Sequence, residues 1–250
     1  YTFDNNPIVK VLDPALGEAE LTMAIVSAIK KNHPDKKISV YGYDIDPFSV
    51  EKSRVRIKEA FPDVEVNFAV QDFLSAESVD NDFDIIIANP PYIRTQILGE
   101  KISRRLSERF GLKGKVDIYY AFFILSLNIL KEGGVAGFIT SNKFLTINSG
   151  KTIREYLYKN SQILTISDFG DTRIFDSSVL PSVTVFKKVT CIFNEDYKVK
   201  FNSIYLNDES VDERDAKPVG SLYDCISKNG VFVDRNGVQY KSKTGYSLLT

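Results

Sequence analysis

The residues with the most chemical content stand four in a row, Asn89-Pro90-Pro91-Tyr92, directly after the apolar run Phe83-Asp84-Ile85-Ile86-Ile87-Ala88. That run reads as a buried parallel strand. Two prolines fix φ and remove two backbone donors, so the turn presents the Asn89 carboxamide and bare carbonyl oxygens, an edge suited to accepting hydrogens from a planar amino group. A Pro-rich turn without chemistry is the plain alternative for an isolated Asn-Pro pair. The strand before it and the aromatic at Tyr92 favour the chemical reading. Ligands of open α/β sheets bind outside the carboxyl ends of the strands, which is where this turn falls.

Three carboxylates occupy comparable places. Asp13 follows the first apolar run and opens the loop Asp13-Pro14-Ala15-Leu16-Gly17-Glu18-Ala19, Asp44 ends the second run, and Asp72, with Phe73 after it, ends the third. Only Gly17 stands where a dinucleotide-binding loop needs three glycines to seat a pyrophosphate on the helix amino terminus. A carboxylate at the strand tip suits a cationic group better than a phosphate. Asp46 before Pro47 has the pattern of a helix N-cap with Pro in the first helical position, which leaves Asp44 available for ribose hydroxyls. Asp72 can accept from a ring amino group while Phe73 covers the ring. Taken singly, each acid is equally a cap or turn residue. Three at successive strand tips are harder to assign to turns alone.

Such placement requires a sheet. Apolar, β-branched segments at 8–12, 38–43, 64–70, 83–88, 135–140, 163–168 and 183–188 alternate with helical patterns at about 18–31, 47–60, 117–131 and 151–159. The rhythm predicts an α/β fold with a doubly wound, mostly parallel, seven-stranded Rossmann-like sheet. No clear helix separates the last two strands, so the final one is expected to pair antiparallel. From about residue 190 short strand-like pieces, at 197–201 and 231–233, lie among charged and Asn/Gly-rich turns and suggest the start of a C-terminal module.

Composition sets the outer bounds. At 250 residues and 43% hydrophobic, the chain can bury one large α/β domain, or one domain and part of another. Its 32 basic and 33 acidic residues nearly cancel, so any nucleic-acid-binding face must be local. One candidate follows the Asn-Pro-Pro-Tyr turn: Arg94, Lys101, Arg104, Arg105, Arg109, Lys113 and Lys115. A solvated helix face and a phosphate-contacting loop explain it equally well. Cys191 and Cys225 lack the spacing of a zinc site or a disulfide framework, which points to a reducing, cytoplasmic setting. The longest apolar stretch, 118–130, is too short to cross a bilayer, and no membrane association is expected. His33, the only histidine, reads as a surface residue after the first helix. The chain begins at Tyr1, which suggests a fragment or a processed chain.

In order and spacing, the segments Asp13-Pro14-Ala15-Leu16-Gly17, Tyr41-Gly42-Tyr43-Asp44-Ile45-Asp46-Pro47, Gln71-Asp72-Phe73-Leu74 and Asn89-Pro90-Pro91-Tyr92 resemble the γ-class adenine-specific DNA methyltransferases of restriction-modification systems. The resemblance runs from about 8 to 188. It takes in Tyr119-Tyr120-Ala121-Phe122-Phe123, the middle motifs around Gly133-Gly134 and Ser141-Asn142-Lys143-Phe144-Leu145, and a later, less specific target-base motif at 174–186. It implies S-adenosylmethionine as cofactor, with Asp13, Ala15 and Gly17 around the methionine end and Asp44 on the ribose. Asp72 would lie on the adenine amino group, Ile45, Phe73 and Pro91 around the adenine, and Asn89 between cofactor and substrate.

For the substrate, the resemblance implies double-stranded DNA with the target adenine flipped out of the stack. The Asn89 side-chain oxygen and the Pro90 carbonyl would accept from its amino group, and Tyr92 and Phe175 would hold the base by stacking. Arg94, Lys101, Arg104 and Arg105 become the candidate phosphate contacts. Residues 1–189 would then be the catalytic domain and 190–250 an incomplete C-terminal region, too short for a target-recognition domain. Sequence choice, and any endonuclease, is expected outside this chain.

Two departures stand out. Ala19 occupies the place of the family's second loop glycine, and the 12 residues before Asp13 are too few for the upstream motif that closes over the methionine end. Two other functions share these features. A protein-glutamine or RNA-guanine amino methyltransferase can use the same Asn-Pro-Pro-Tyr edge, and a noncatalytic DNA-binding module would tolerate Ala19 and the short front end.

Overall fold

A computed structural model describes residues 7–76, 82–93, 97, 99–112, 117–172, 180–190, 198–206 and 216–247. Seven strands, β1 Ile8–Asp13, β2 Lys37–Asp44, β3 Glu65–Val70, β4 Phe83–Ala88, β5 Leu130–Ser141, β6 Ser161–Asp168 and β7 Pro181–Lys188, lie in the order β3-β2-β1-β4-β5-β7-β6. Strands β1 to β5 pair in parallel, and β7 runs antiparallel between β5 and β6. This is the doubly wound, seven-strand arrangement expected from the sequence. The strand order reverses between β1 and β4, so their carboxyl ends flank a crevice.

Helices cover both faces. On one, α1 Glu20–Asn32 and α2 Pro47–Ala60 bury Val26, Ile29, Val50 and Ile57 against Val9, Val11 and Val40. On the other lie α3 Glu100–Phe110, α4 Tyr119–Ile129 and α5 Lys151–Asn160, over a core that includes Leu12, Ile86, Ala136 and Phe138. Helix α4 is apolar on nearly every side, as a helix enclosed by other elements must be. Its Phe123 ring meets Phe138 of β5 at 4.5 Å, and Phe138 stacks on Phe186 of β7 at 5.7 Å, which locks β5 to β7 beneath the helix.

Local chemistry sets the element ends. Asp46 caps α2 by accepting from the backbone nitrogens of Phe48 and Ser49, with Pro47 in the first turn. Helix α1 begins at Glu20 because Ala19 adopts a left-handed φ of 59°. The helix expected over 117–131 stops at Ile129, and β5 starts at Leu130, earlier than the hydrophobic pattern indicates. Gly134 permits this, since a Cβ there would lie 2.9 Å from the Phe83 carbonyl oxygen of the neighbouring strand.

The sheet does not stop at seven strands. β8 Val199–Leu206 pairs in parallel with β6, and β11 Gln239–Ser247, β10 Gly230–Val233 and β9 Lys217–Pro218 follow outward. The short pieces anticipated after residue 190 are therefore hydrogen-bonded onto the same sheet. They share a small core of Phe169, Ile204, Cys225, Phe232 and Tyr240. Among the described residues, no helix is long and apolar enough to cross a membrane.

Candidate active site

Strand β4 carries the chain to the carboxyl edge, where Asn89 and Pro91 are exposed, Pro90 is buried and Tyr92 is half-buried. The Tyr92 hydroxyl donates to Asn89 Oδ1 at 2.6 Å and lies 3.4 Å from the Ile139 carbonyl oxygen of β5. Burial pushes this hydroxyl up to about 12, so it stays protonated and remains a donor. The Ile118 N–H donates to the Ile93 carbonyl at 2.9 Å, which ties the turn to the start of α4.

The β1 loop folds back on its own acid. Asp13 is 1% exposed, and its carboxylate accepts from Ala15 N at 3.2 Å and from Thr22 Oγ1 at 3.0 Å. Burial, with a smaller push from the Asp44 charge, raises Asp13 to about 7 against the lowering effect of those two hydrogen bonds. Gly17 has φ 49°, and its Cα faces open space where a side chain would be. Its N–H donates to Asp44 Oδ2 at 2.8 Å, and Asp44 Oδ1 accepts from Asp46 N at 3.0 Å. A carboxylate has about four acceptor positions, so roughly two on Asp44 are left for a ligand.

At the third tip, exposed Asp72 caps a short 3-10 turn, accepting from Leu74 N at 3.0 Å and from Ser75 Oγ at 2.6 Å. This turn corrects one expectation. It rotates Phe73 inward, so the ring is 2% exposed and packs between Tyr43 and Phe122 at 5.6 and 5.5 Å. The ring expected to cover an adenine is a core residue, and the exposed apolar surface near these tips comes from Ile45, Phe48 and Val70.

Beyond the tips, Arg104 and Arg105 are exposed on α3, with Arg104 Nε 2.8 Å from Glu108. Lys101 is part of α3, but its side chain lies outside the described residues, as do Arg94 and Phe175. Arg109 has a specific place that the charge count did not reveal. Its guanidinium donates to the carbonyls of Leu74 and Ala76, tying α3 to the turn after β3. Thr22 was also missed, although a polar residue on the buried face of α1, nine positions after Asp13, is a readable sign of a partner for that acid.

Asp44, Asp72, an open glycine and exposed apolar side chains therefore line adjacent strand ends, while Asp13, expected to face a ligand, is buried and bonded within its own loop and to α1, and residues 13–18, 44–46 and 71–76 contain no lysine or arginine. That donor set fits a cationic nucleoside and disfavours a polyphosphate.

Comparison with known proteins bears on the fold and the family. The family model described as Eco57I restriction-modification methylase matches residues 51–175. The type II methyltransferase M.BanIII of Aneurinibacillus aneurinilyticus is 36% identical over 191 residues, covering 70% of this chain and 32% of its own length. M.VspI of Vibrio sp. (strain 343) is 33% identical over 159 residues, 63% of this chain and 37% of its own. The chain thus spans about a third of the length of these relatives. Among solved structures, a class I S-adenosylmethionine-dependent methyltransferase of Listeria monocytogenes superposes with TM-score 0.66 at 19% identity, over 80% of this chain and 59% of that one. The M protein of the type I restriction enzyme EcoKI gives 0.62 at 18% identity, over 83% and 46%. The fold is that of class I S-adenosylmethionine-dependent methyltransferases, and the chain belongs to the Eco57I restriction-modification methylase family.

Proposed function

We propose that this chain is the catalytic part of a restriction-modification DNA methyltransferase that methylates the exocyclic amino nitrogen of an adenine flipped out of double-stranded DNA. The observation that carries the reading is Asn89 Oδ1, held by the Tyr92 hydroxyl where β4 ends, beside strand ends that carry acids. S-adenosylmethionine, when bound, supplies an electrophilic methyl group on a sulfonium. Asp44 would hold its ribose hydroxyls and Asp72 its amino group. The Asp13–Gly17 loop, including Ala15, would hold the methionine end, with Ile45 and Pro91 against the adenine.

The chain's own groups act on the base. An exocyclic adenine nitrogen is a poor nucleophile because its lone pair is delocalised into the ring. Two fixed acceptors, Asn89 Oδ1 and the Pro90 carbonyl, draw its two protons into a pyramidal arrangement that favours the transition state over the planar ground state. Tyr92 and Phe175 stack on the base and hold the nitrogen in line with the transferring carbon. Arg94, Lys101, Arg104 and Arg105 contact phosphates. Since the match to this chain spans only about a third of its curated relatives' length, the selection of a DNA sequence, and any cleavage activity, is assigned to parts beyond this chain.

The test is Asn89→Ala in the full-length protein. Transfer to DNA should be abolished, with folding and S-adenosylmethionine affinity nearly unchanged and a loss greater than one ordinary hydrogen bond supplies. Near-normal turnover would refute the role of Asn89. A wild type that binds S-adenosylmethionine but methylates RNA or a glutamine peptide and not DNA would overturn the substrate.

A further inference from the structure

The loop between β1 and α1 is fastened from the neighbouring helix. Helix α2 buries Val50, Ser53 and Ile57 on one stripe, and Ser53, 0% exposed, is its polar member. The Ser53 hydroxyl donates to the Gly17 carbonyl at 2.8 Å. One turn further along α2, Arg56 Nη1 donates to the Glu18 carbonyl at 2.8 Å and to Glu20 Oε1 at 2.6 Å. Lys52 Nζ reaches Glu18 Oε1 at 2.7 Å. Residues 17, 18 and 20 are thus held from one side by one helix.

The N–H groups of the loop are used unevenly. Ala15 donates to Asp13 Oδ1, Leu16 to the Tyr43 carbonyl at 3.0 Å, Gly17 to Asp44 Oδ2, and Ala19 to the Leu16 carbonyl at 2.8 Å. The Glu18 N–H has no acceptor among the described residues. Its direction follows from Ser53. Peptide bonds of the described residues are all trans, and in a planar trans peptide the carbonyl and the N–H that follows it point opposite ways. With the Gly17 carbonyl drawn to Ser53, the Glu18 N–H turns away from α2.

This peptide is also the easiest in the loop to rotate. Gly17, at φ 49° with open space where a side chain would be, offers no steric barrier to a flip. Among the described residues, the Ser53 hydroxyl is the one hydrogen-bond donor to its carbonyl. The methionine end of S-adenosylmethionine carries a carboxylate, the natural acceptor for an open N–H. The Glu18 side chain would repel that group, and Lys52 holds it on the α2 side.

We infer that Ser53 is a positioning residue for the cofactor: by holding the Gly17 carbonyl it aims the Glu18 N–H at the methionine carboxylate. The inference rests on the reading above in which this loop holds the methionine end. Without the hydroxyl, the bonds made by Leu16 N, Gly17 N, Ala19 N and the Glu18 carbonyl all remain. The loss is therefore confined to the orientation of one peptide, and Asp44 and Asp72 keep their places.

The experiment is calorimetric titration of the full-length protein with S-adenosylmethionine and with methylthioadenosine, which keeps the adenine, ribose and sulfur but lacks the amino-acid end. Ser53→Ala should raise the S-adenosylmethionine Kd about tenfold, as for one misaimed hydrogen bond to a charged group. The methylthioadenosine Kd should stay within about twofold, and so should kcat at saturating cofactor, because this peptide is remote from the transferring methyl. Arg56→Ala frees the next carbonyl at a more exposed position and should repeat the split with a smaller loss, about threefold. If Ser53→Ala leaves S-adenosylmethionine affinity unchanged, or weakens both ligands alike, the inference is overturned with the cofactor reading intact. A wild type that binds the two ligands equally well overturns the assignment of the loop to the methionine end, and the inference with it.

Discussion

The Tyr92 hydroxyl donates to the Asn89 side-chain oxygen across 2.6 Å, within the four-residue turn that ends β4. A phenol that stays protonated to about 12 can pair with the oxygen of a carboxamide as donor, so this bond fixes which end of the amide is Oδ1 and limits its rotation. One lone pair of that oxygen is engaged, and the second remains for a substrate amino hydrogen. Tyr92 thus has two separable parts, a ring proposed to stack on the target base and a hydroxyl that presets the acceptor. Tyr92→Phe keeps the ring and frees the amide. Single-turnover methyl transfer should slow roughly tenfold, corresponding to about 1.4 kcal/mol, with cofactor affinity unchanged. A wild-type rate would show that the hydroxyl contributes nothing to preorganisation.

Asp13 gives stability a definite pH dependence. Its folded value, raised to about 7 mainly by burial, exceeds the ordinary 3.8, so between those limits the native state holds a proton that the unfolded chain has lost. The contribution is fully present below about pH 4, declines as pH rises, and is lost once pH has passed about 7. Asp13→Asn removes the titration. Urea unfolding of wild type and variant from pH 4.5 to 8 should diverge progressively up to about 7 and run parallel above it. Parallel curves throughout would mean that the carboxyl does not titrate in that window.

Much of this organisation was legible in the residues. Alternating β-branched runs and capped helical patterns are local signals, and they placed Asp13, Asp44, Asp72 and Asn89 at the carboxyl ends of strands β1 to β4 of one sheet. Phe73 was misread because the direction of its ring depends on the 3-10 turn capped by Asp72, which swings an aromatic from the cleft into the core over three residues. The start of β5 was misplaced because Leu130 and Lys131 fit a helix as readily as a strand, and pairing with β4 decides between them. Nothing local announces that β8 adds in parallel beside β6, a pairing between residues 165–168 and 200–203 that exists only once the sheet is built.

Ala19 tests whether the departure from the family's glycine weakens the loop. Its left-handed conformation costs an L-residue about 1–2 kcal/mol, but its methyl is wholly buried and worth about 0.8 kcal/mol. Glycine would also add roughly 0.5–1 kcal/mol of unfolded-chain entropy. These effects nearly cancel. Ala19→Gly should therefore change stability by less than about 1 kcal/mol, whereas Ala24→Gly, on the exposed face of α1, should cost about 1 kcal/mol. Chemical denaturation of the two variants compares them directly. A destabilisation at position 19 well beyond that at 24 would mean that packing of the methyl outweighs the strain.

Helix α3 separates two roles for its basic residues. Arg104 and Arg105 point to solvent, and the Arg104–Glu108 pair is exposed and worth well under 1 kcal/mol, so little holds these side chains back from a phosphate. Arg109, on the same helix, is committed to the carbonyls of Leu74 and Ala76 beside Asp72. Replacing Arg104 and Arg105 with Ala should weaken DNA binding and reduce the slope of log K against log salt by about 0.9 for each phosphate that these side chains neutralise. Arg109→Ala should leave that slope unchanged and weaken S-adenosylmethionine binding, because the turn that presents Asp72 loses its brace. If the double variant keeps the wild-type salt slope, α3 is a solvated face and the DNA backbone is held elsewhere.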